Sequence, residues 1–127
     1  MALLEKQEAL APTSASALSK AIVRAADYLG LNQKRTAAII GFSESTASRL
    51  WRQDFQFDSS RNKEWERAIL FFRLFRSLDS ILGDQESARK WLVVRNNALG
   101  GIPLDRIETT EGLVDVVRYL DAHRGLI

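Results

Sequence analysis

The sequence contains no cysteine and a single histidine, and these shortages exclude several kinds of site. Without a thiol, the chain can form no disulfide framework, no thiolate nucleophile and no thiolate metal site. One histidine is too few for a zinc site built from several histidines, so we expect neither a metal nor a cofactor. The pair Gly100-Gly101 follows a helical segment rather than a strand, which argues against a phosphate-binding loop. We therefore expect a protein that is not an enzyme.

Long apolar runs are also missing. No stretch approaches the roughly 20 residues that span a bilayer, and no basic segment precedes an apolar one as in a secretory signal. Of the 127 residues, 46% are hydrophobic and 27% are charged, which is ordinary for one globular domain. These features predict a soluble, cytoplasmic protein with no membrane partner.

Helical periodicity is what the sequence does have. Apolar residues recur at helical spacing, and no alternating run supports a sheet, so the predicted fold class is all-α. The expected segments begin at Ser14 or Ser16, Asn32, Ser43, about Asn62, Asp84, Pro103, and Thr109 or Thr110. We divide the chain into blocks 1–58 and 59–127. The blocks should share one core, because about 70 residues form only a marginal core alone.

The segment "QKRTAAIIGFSESTASRLW" matches the helix-turn-helix pattern. Ala37 supplies the small residue that two steeply crossing helices need at their contact, and Gly41 supplies a turn residue that tolerates a positive φ. Ile40, Phe42, Ala47 and Leu50 should be buried. Block 1–58 is therefore predicted to be an N-terminal helix-turn-helix bundle. The alternative is an ordinary αα-hairpin whose polar residues only face solvent.

The polar residues of this segment predict a DNA-binding surface. Between residues 34 and 52 there are four cations and one carboxylate, and a recognition helix presents its N-terminal residues to base edges. Arg49 can contact a guanine or a phosphate, while Lys34 and Arg35 suit the phosphate backbone. Because one module is a small interface, we expect a homodimer on operator DNA. The candidate residues are Lys34, Arg35, Ser43, Glu44, Ser45, Thr46, Ser48, Arg49 and Arg52.

The stretch "LGGIPLDRIETTEG" breaks the helical pattern near the C-terminus. We expect Gly100-Gly101 to end one helix and Pro103 to start the next, so that the last helix packs back on the long aromatic one. Asp105, Glu108 and Glu111 are explained by capping and by their place at helix starts. His123, near a helix end, is assigned a structural or solvent-facing role.

The C-terminal block "ARKWLVVRNNALGGIPLDRIETTEGLVDVVRYLDAHRGLI" resembles the toxin-binding domain of the Xre/MbcA/ParS antitoxins. The resemblance rests on Trp91-Leu92, Asn96-Asn97, Leu99-Gly100-Gly101, Pro103-Leu104, Thr109/Thr110 with Gly112, and the last apolar helix. It implies a helical toxin-binding domain in residues 59–127. It also implies an antitoxin that covers the active site of a RES-domain, NAD⁺-consuming toxin and binds its own operator in a larger complex.

The candidate toxin-binding residues combine this resemblance with the apolar end of the chain. A terminus ending in Leu-Ile beside an arginine suits insertion into a partner's pocket, unless those residues fold back on their own core. The candidates are Trp91, Asn96, Asn97, Leu99, Arg124, Gly125, Leu126 and Ile127. The alternative function is a stand-alone helix-turn-helix regulator whose second half dimerises or binds a ligand. A neighbouring toxin gene would distinguish the two.

Overall fold

The computed structural model describes residues 14–124, and these form seven helices without a β-strand. The all-α prediction is thus confirmed. The helices are α1 Ala15–Leu29, α2 Gln33–Ile40, α3 Glu44–Trp51, α4 Asn62–Leu82, α5 Gln85–Val93, α6 Pro103–Arg106 and α7 Thr110–Arg124. Three candidate toxin-binding residues, Gly125, Leu126 and Ile127, lie outside the described residues.

Side-chain caps start five of these helices. The side-chain oxygens of Ser14, Asn32, Ser43 and Asp84 each accept the backbone N–H three residues further on, at distances between 2.7 and 3.1 Å. Thr109 does the same for α7 at 3.0 Å. Each bond satisfies an N–H that has no partner within the helix, which is why these residue types occur at these positions. The helix starts predicted at these residues are confirmed, and the two open choices resolve to Ser14 and Thr109.

The long helix α4 lies at the centre of the fold. It packs against α1, α2, α5 and α7, so it buries more than one face. Phe71 and Phe72 are adjacent in sequence, point in different directions and are both buried. The core is one hydrophobic cluster that includes Leu18 of α1 and Leu113 of α7. The two predicted blocks therefore share packing. Their assignment to separate functions, with a boundary after residue 58, stays a prediction.

The break after α5 differs from the prediction in one respect. Gly100-Gly101 does not end a helix, because α5 already ends at Val93. Residues 96–101 instead form a tight loop that is closed by an antiparallel bridge between Asn96 and Gly101, with N–O distances of 2.8 and 3.2 Å. The Asn96 side chain accepts the N–H of Leu99 at 3.2 Å, and such local bonding competes with a helix. Pro103 then begins α6, as predicted.

Candidate functional site

Helix α3 presents a polar face, and α2 packs behind it. Ala47 and Leu50 are fully buried, whereas Glu44, Ser45, Arg49 and Arg52 are exposed, and Thr46 and Ser48 are partly buried. The turn between the helices is Gly41, with φ 90°. The structure thus brings the predicted α3 residues onto one accessible surface, with the apolar residues of the same helix in the core.

Some of the hydroxyls on this face are already engaged. Ser43 accepts the Thr46 N–H as the cap of α3, and its hydroxyl donates to the Thr46 oxygen at 2.9 Å. The Thr46 oxygen also lies 3.5 Å from Nη2 of Arg49. Ser43 and Thr46 therefore organise the start of α3 and one of its cations, besides any contact that they make with a ligand.

The two arginines of this face have different neighbours. Arg52 lies 3.7 Å from the Asp54 carboxylate and 3.4 Å from the Ser48 hydroxyl. Arg49 has its guanidinium carbon 5.6 Å from the ring centroid of Phe55, within the range of a cation–π contact. Phe55 was not among the candidates from the sequence. The signal that could have suggested it is an aromatic residue closely following a basic helix end.

Arg35, a predicted phosphate contact, is paired with carboxylates of the C-terminal block in this structure. Its Nη2 donates to Asp105 at 2.9 Å, and its Nε lies 2.8 Å from the Glu108 carboxylate. The Arg35 side chain is 33% exposed, so the pairing is not deeply buried. The structure therefore brings Arg35 together with the C-terminal block. Lys34, by contrast, is exposed and lines a depression that it shares with Glu44.

Arg67 of α4 also connects the N-terminal helices with the C-terminal block. Its Nη2 donates to the Glu108 carbonyl at 2.8 Å and lies 3.5 Å from the Ala38 carbonyl. Burial lowers the pKa of the Arg67 guanidinium, which nevertheless stays charged as arginine does in proteins. We call the residues Arg35, Arg67, Asp105 and Glu108 the interblock junction. The sequence assigned its two carboxylates to helix starts only, because their basic partners lie far away along the chain.

A row of aromatic residues connects α5 with the end of α7. Trp91 stacks on Tyr119 with 6.3 Å between ring centroids, and Tyr119 lies 4.2 Å from the His123 ring. Trp91 also lines an open groove of about 310 Å³, together with Leu82, Val94 and Asn96. Tyr119 and His123 were not among the candidates from the sequence, although their spacing of four places them on one helix face.

The other candidate toxin-binding residues differ in exposure and in their contacts. Asn97 is exposed, Leu99 is partly buried against the core, and Asn96 uses its side-chain oxygen within its own loop. Arg124 donates to the hydroxyl of the buried Ser77 at 3.3 Å, so its guanidinium extends along α4. Trp91 and Asn96 line one groove, while Arg124 directly follows His123 of the aromatic row.

Comparison with protein families agrees with this arrangement. The antitoxin Xre-like helix-turn-helix domain matches residues 8–73, and the antitoxin Xre/MbcA/ParS C-terminal toxin-binding domain matches residues 77–125. The chain belongs to the Xre-like antitoxins. This antitoxin thus has a helix-turn-helix in its first half and a toxin-binding domain in its second, as the resemblance implied.

Two further findings complete the comparison. Among curated proteins, no sequence matches this antitoxin significantly. None of the helices in the described part of the chain combines the length and apolar character that crossing a membrane requires.

Proposed function

We propose that this antitoxin binds a RES-domain toxin, covers its NAD⁺-consuming active site, and represses its own operon by binding operator DNA. In this proposal it acts in the cytoplasm, as a homodimer within a larger toxin–antitoxin complex. The observation that carries the proposal is the presence of two accessible surfaces on different helices. One is the polar face of α3, and the other is the aromatic row with the adjoining groove on α5 and α7.

The groove supports protein binding. Val94 lines the groove and is 54% exposed, so its side chain offers apolar surface to a partner. Trp91 lines the same groove, and aromatic residues are enriched at the centres of protein interfaces. Lys90 and Arg95 line the same groove. The surface therefore suits an apolar toxin segment that has acidic residues beside it.

The α3 face supports DNA binding. Hydroxyl groups at Ser45 and Ser48 permit a close approach to base edges, and Arg49 can donate two hydrogen bonds to guanine. Two copies of α3 in a dimer would read half-sites about 34 Å apart. Binding of the operator by the complex would then link toxin levels to transcription of the operon.

The toxin arm is tested by measuring NAD⁺ consumption by the RES-domain toxin encoded next to this antitoxin. Stoichiometric antitoxin should stop consumption, and the two proteins should co-elute from a sizing column. Val94→Glu places a charge in the groove and should weaken inhibition by about tenfold or more, since a buried unpaired charge costs several kcal/mol. Ala17→Glu, an exposed position on α1, is the matched control. Full consumption in the presence of wild-type antitoxin would contradict this arm.

The DNA arm is tested separately, with a fragment from upstream of the antitoxin gene. Arg49→Ala should weaken binding by about 1–3 kcal/mol while toxin inhibition stays normal. Arg24→Ala, which removes an exposed cation from α1, should have little effect. Specific DNA binding without toxin inhibition would favour the stand-alone regulator, and an unchanged affinity for Arg49→Ala would contradict the role of α3.

A further inference from the structure

Phe55 occupies a distinctive position beside the α3 face. It lies beyond the end of α3, and its ring is 5.6 Å from the guanidinium carbon of Arg49. The ring is only partly buried, whereas Phe57, two residues later, is 1% exposed. Phe55 thus has one side on the core and another that is available to the arginine.

The ring of Phe55 is held in place by other aromatic residues. It meets Phe57 edge-on at 5.5 Å and Phe42 edge-on at 5.8 Å, with interplanar angles of 81° and 88°. Phe57 is itself tied to α1, since its backbone N–H donates to the buried hydroxyl of Ser19 at 3.4 Å. The surface on which Arg49 lies is therefore continuous with the hydrophobic core.

Helix α3 itself makes a second contact that restricts the guanidinium of Arg49. Nη2 of Arg49 lies 3.5 Å from the Thr46 oxygen, and Thr46 is fixed by the Ser43 cap. An arginine that contacts an aromatic ring keeps its in-plane N–H groups available for a two-pronged hydrogen bond. A side chain that is already ordered also loses less conformational entropy when it binds.

We propose that Phe55 is a positioning residue that orders Arg49 for DNA recognition and so contributes to base discrimination. The inference rests on the proposed DNA-binding function of α3. It assigns a role in recognition to a residue outside the helix-turn-helix pair, and that role is exerted through Arg49.

A double-mutant cycle tests the proposal, using the DNA fragment from upstream of the gene. Phe55→Leu should weaken binding about twofold to fivefold, the size of an exposed cation–π contact. In the Arg49→Ala background the same change should have no effect. Phe55→Tyr keeps an aromatic face and should retain wild-type affinity. Phe75→Leu is the matched control, because Phe75 is also partly buried but packs against the rings of Tyr28 and Phe72 rather than against the rings around Phe55.

Base discrimination is a second measurement, and it would not change if Phe55 had only a structural role. The affinity for the upstream fragment is divided by the affinity for a fragment in which the base pair contacted by Arg49 is changed. This ratio should fall in Phe55→Leu and stay unchanged in Phe75→Leu. Equal weakening by Phe55→Leu in both Arg49 backgrounds would overturn the inference and leave the proposed function intact. No effect of Arg49→Ala would overturn the recognition role of α3 and, with it, this inference.

Discussion

Gly112 lies in the first turn of α7, where the preceding segment leaves no room for a side chain. A Cβ atom at this position would lie 1.8 Å from the Arg106 carbonyl oxygen, so the backbone would have to move. The residue is buried, and the Gly112 N–H donates to the cap residue Thr109 at 3.0 Å. The start of α7 is thus fixed by close approach to α6.

Gly112→Ala should destabilise the protein although alanine is the better helix former. The helix propensity gain is about 1 kcal/mol, whereas overpacking against rigid backbone costs roughly 1–3 kcal/mol or more. We expect a net loss in the free energy of unfolding, measured by urea denaturation. Gly101→Ala is the control, because a Cβ there meets no atom within 4 Å and the backbone φ is not left-handed. An equal effect of the two changes would contradict the steric explanation.

Asp84, the cap of α5, should make stability depend on pH in the acidic range. The backbone N–H of Ser87 donates to the carboxylate and lowers the pKa of Asp84 from its ordinary value of 3.8. Because the folded-state pKa is the lower one, the stabilisation is complete above the ordinary value and is lost as the pH falls through the folded pKa.

Asp84→Asn separates the charge from the cap, because asparagine is also a good N-cap. The melting temperature of the wild-type protein should exceed that of Asp84→Asn at neutral pH, and the difference should shrink towards zero as the pH falls well below 3.8. Thermal melts across this range check the prediction. A difference that stays constant with pH would show that the Asp84 charge does not contribute.

At the scale of helices, most boundaries can be predicted because the responsible groups are local. A cap such as Asn32 and a left-handed glycine such as Gly30 act within one turn of the helix end. The end of α5 is less predictable. Val94 could continue a helix by its periodicity, and the loop forms instead because Asn96 bonds within residues 96–101.

The interblock junction could not be predicted from sequence patterns, because its residues come from distant parts of the chain. Arg35 and Asp105 lie 70 positions apart, and nothing local to either residue indicates the other. The interpretation of Arg35 as a phosphate contact stays a prediction, and its pairing with Asp105 and Glu108 depends on how the chain folds back on α2. The face of α3 was predictable because its burial pattern follows from helical periodicity alone.

Removing the junction carboxylates should strengthen DNA binding. In Asp105→Asn combined with Glu108→Gln, Arg35 is released for phosphate and two negative charges are lost, so affinity for the upstream DNA fragment should rise about twofold to fivefold. The free energy of unfolding should fall by at most about 1–2 kcal/mol, because each exposed ion pair contributes about 1 kcal/mol or less. Glu111→Gln, an exposed carboxylate on α7, is the control.

The salt dependence of DNA binding identifies the cause of any increase in affinity. If Arg35 is the released group, the double variant should lose affinity more steeply with salt than the wild type, by about one additional ion. Adding Arg35→Ala should abolish that difference. An affinity gain that survives Arg35→Ala would instead arise from the general loss of negative charge.

For the molecule as a whole, α4 is the helix that both family regions share. The helix-turn-helix family match extends to residue 73 and the toxin-binding match starts at residue 77, so both meet within this one helix. Leu74 lies between the two matches and is fully buried. The helix contacts α1 and α2 in the helix-turn-helix region and α7 in the C-terminal region. Neither family region therefore has a complete core of its own.

The chain should accordingly unfold as one cooperative unit. Leu74→Ala should lower the free energy of unfolding by about 2–5 kcal/mol, since the cavity adds to the lost burial. Two single-tryptophan proteins, one retaining Trp51 in α3 and one retaining Trp91 in α5, should report the same urea midpoint before and after this change. Separate midpoints, or a shift confined to one tryptophan, would show that the DNA-binding and toxin-binding regions are stable independently of each other.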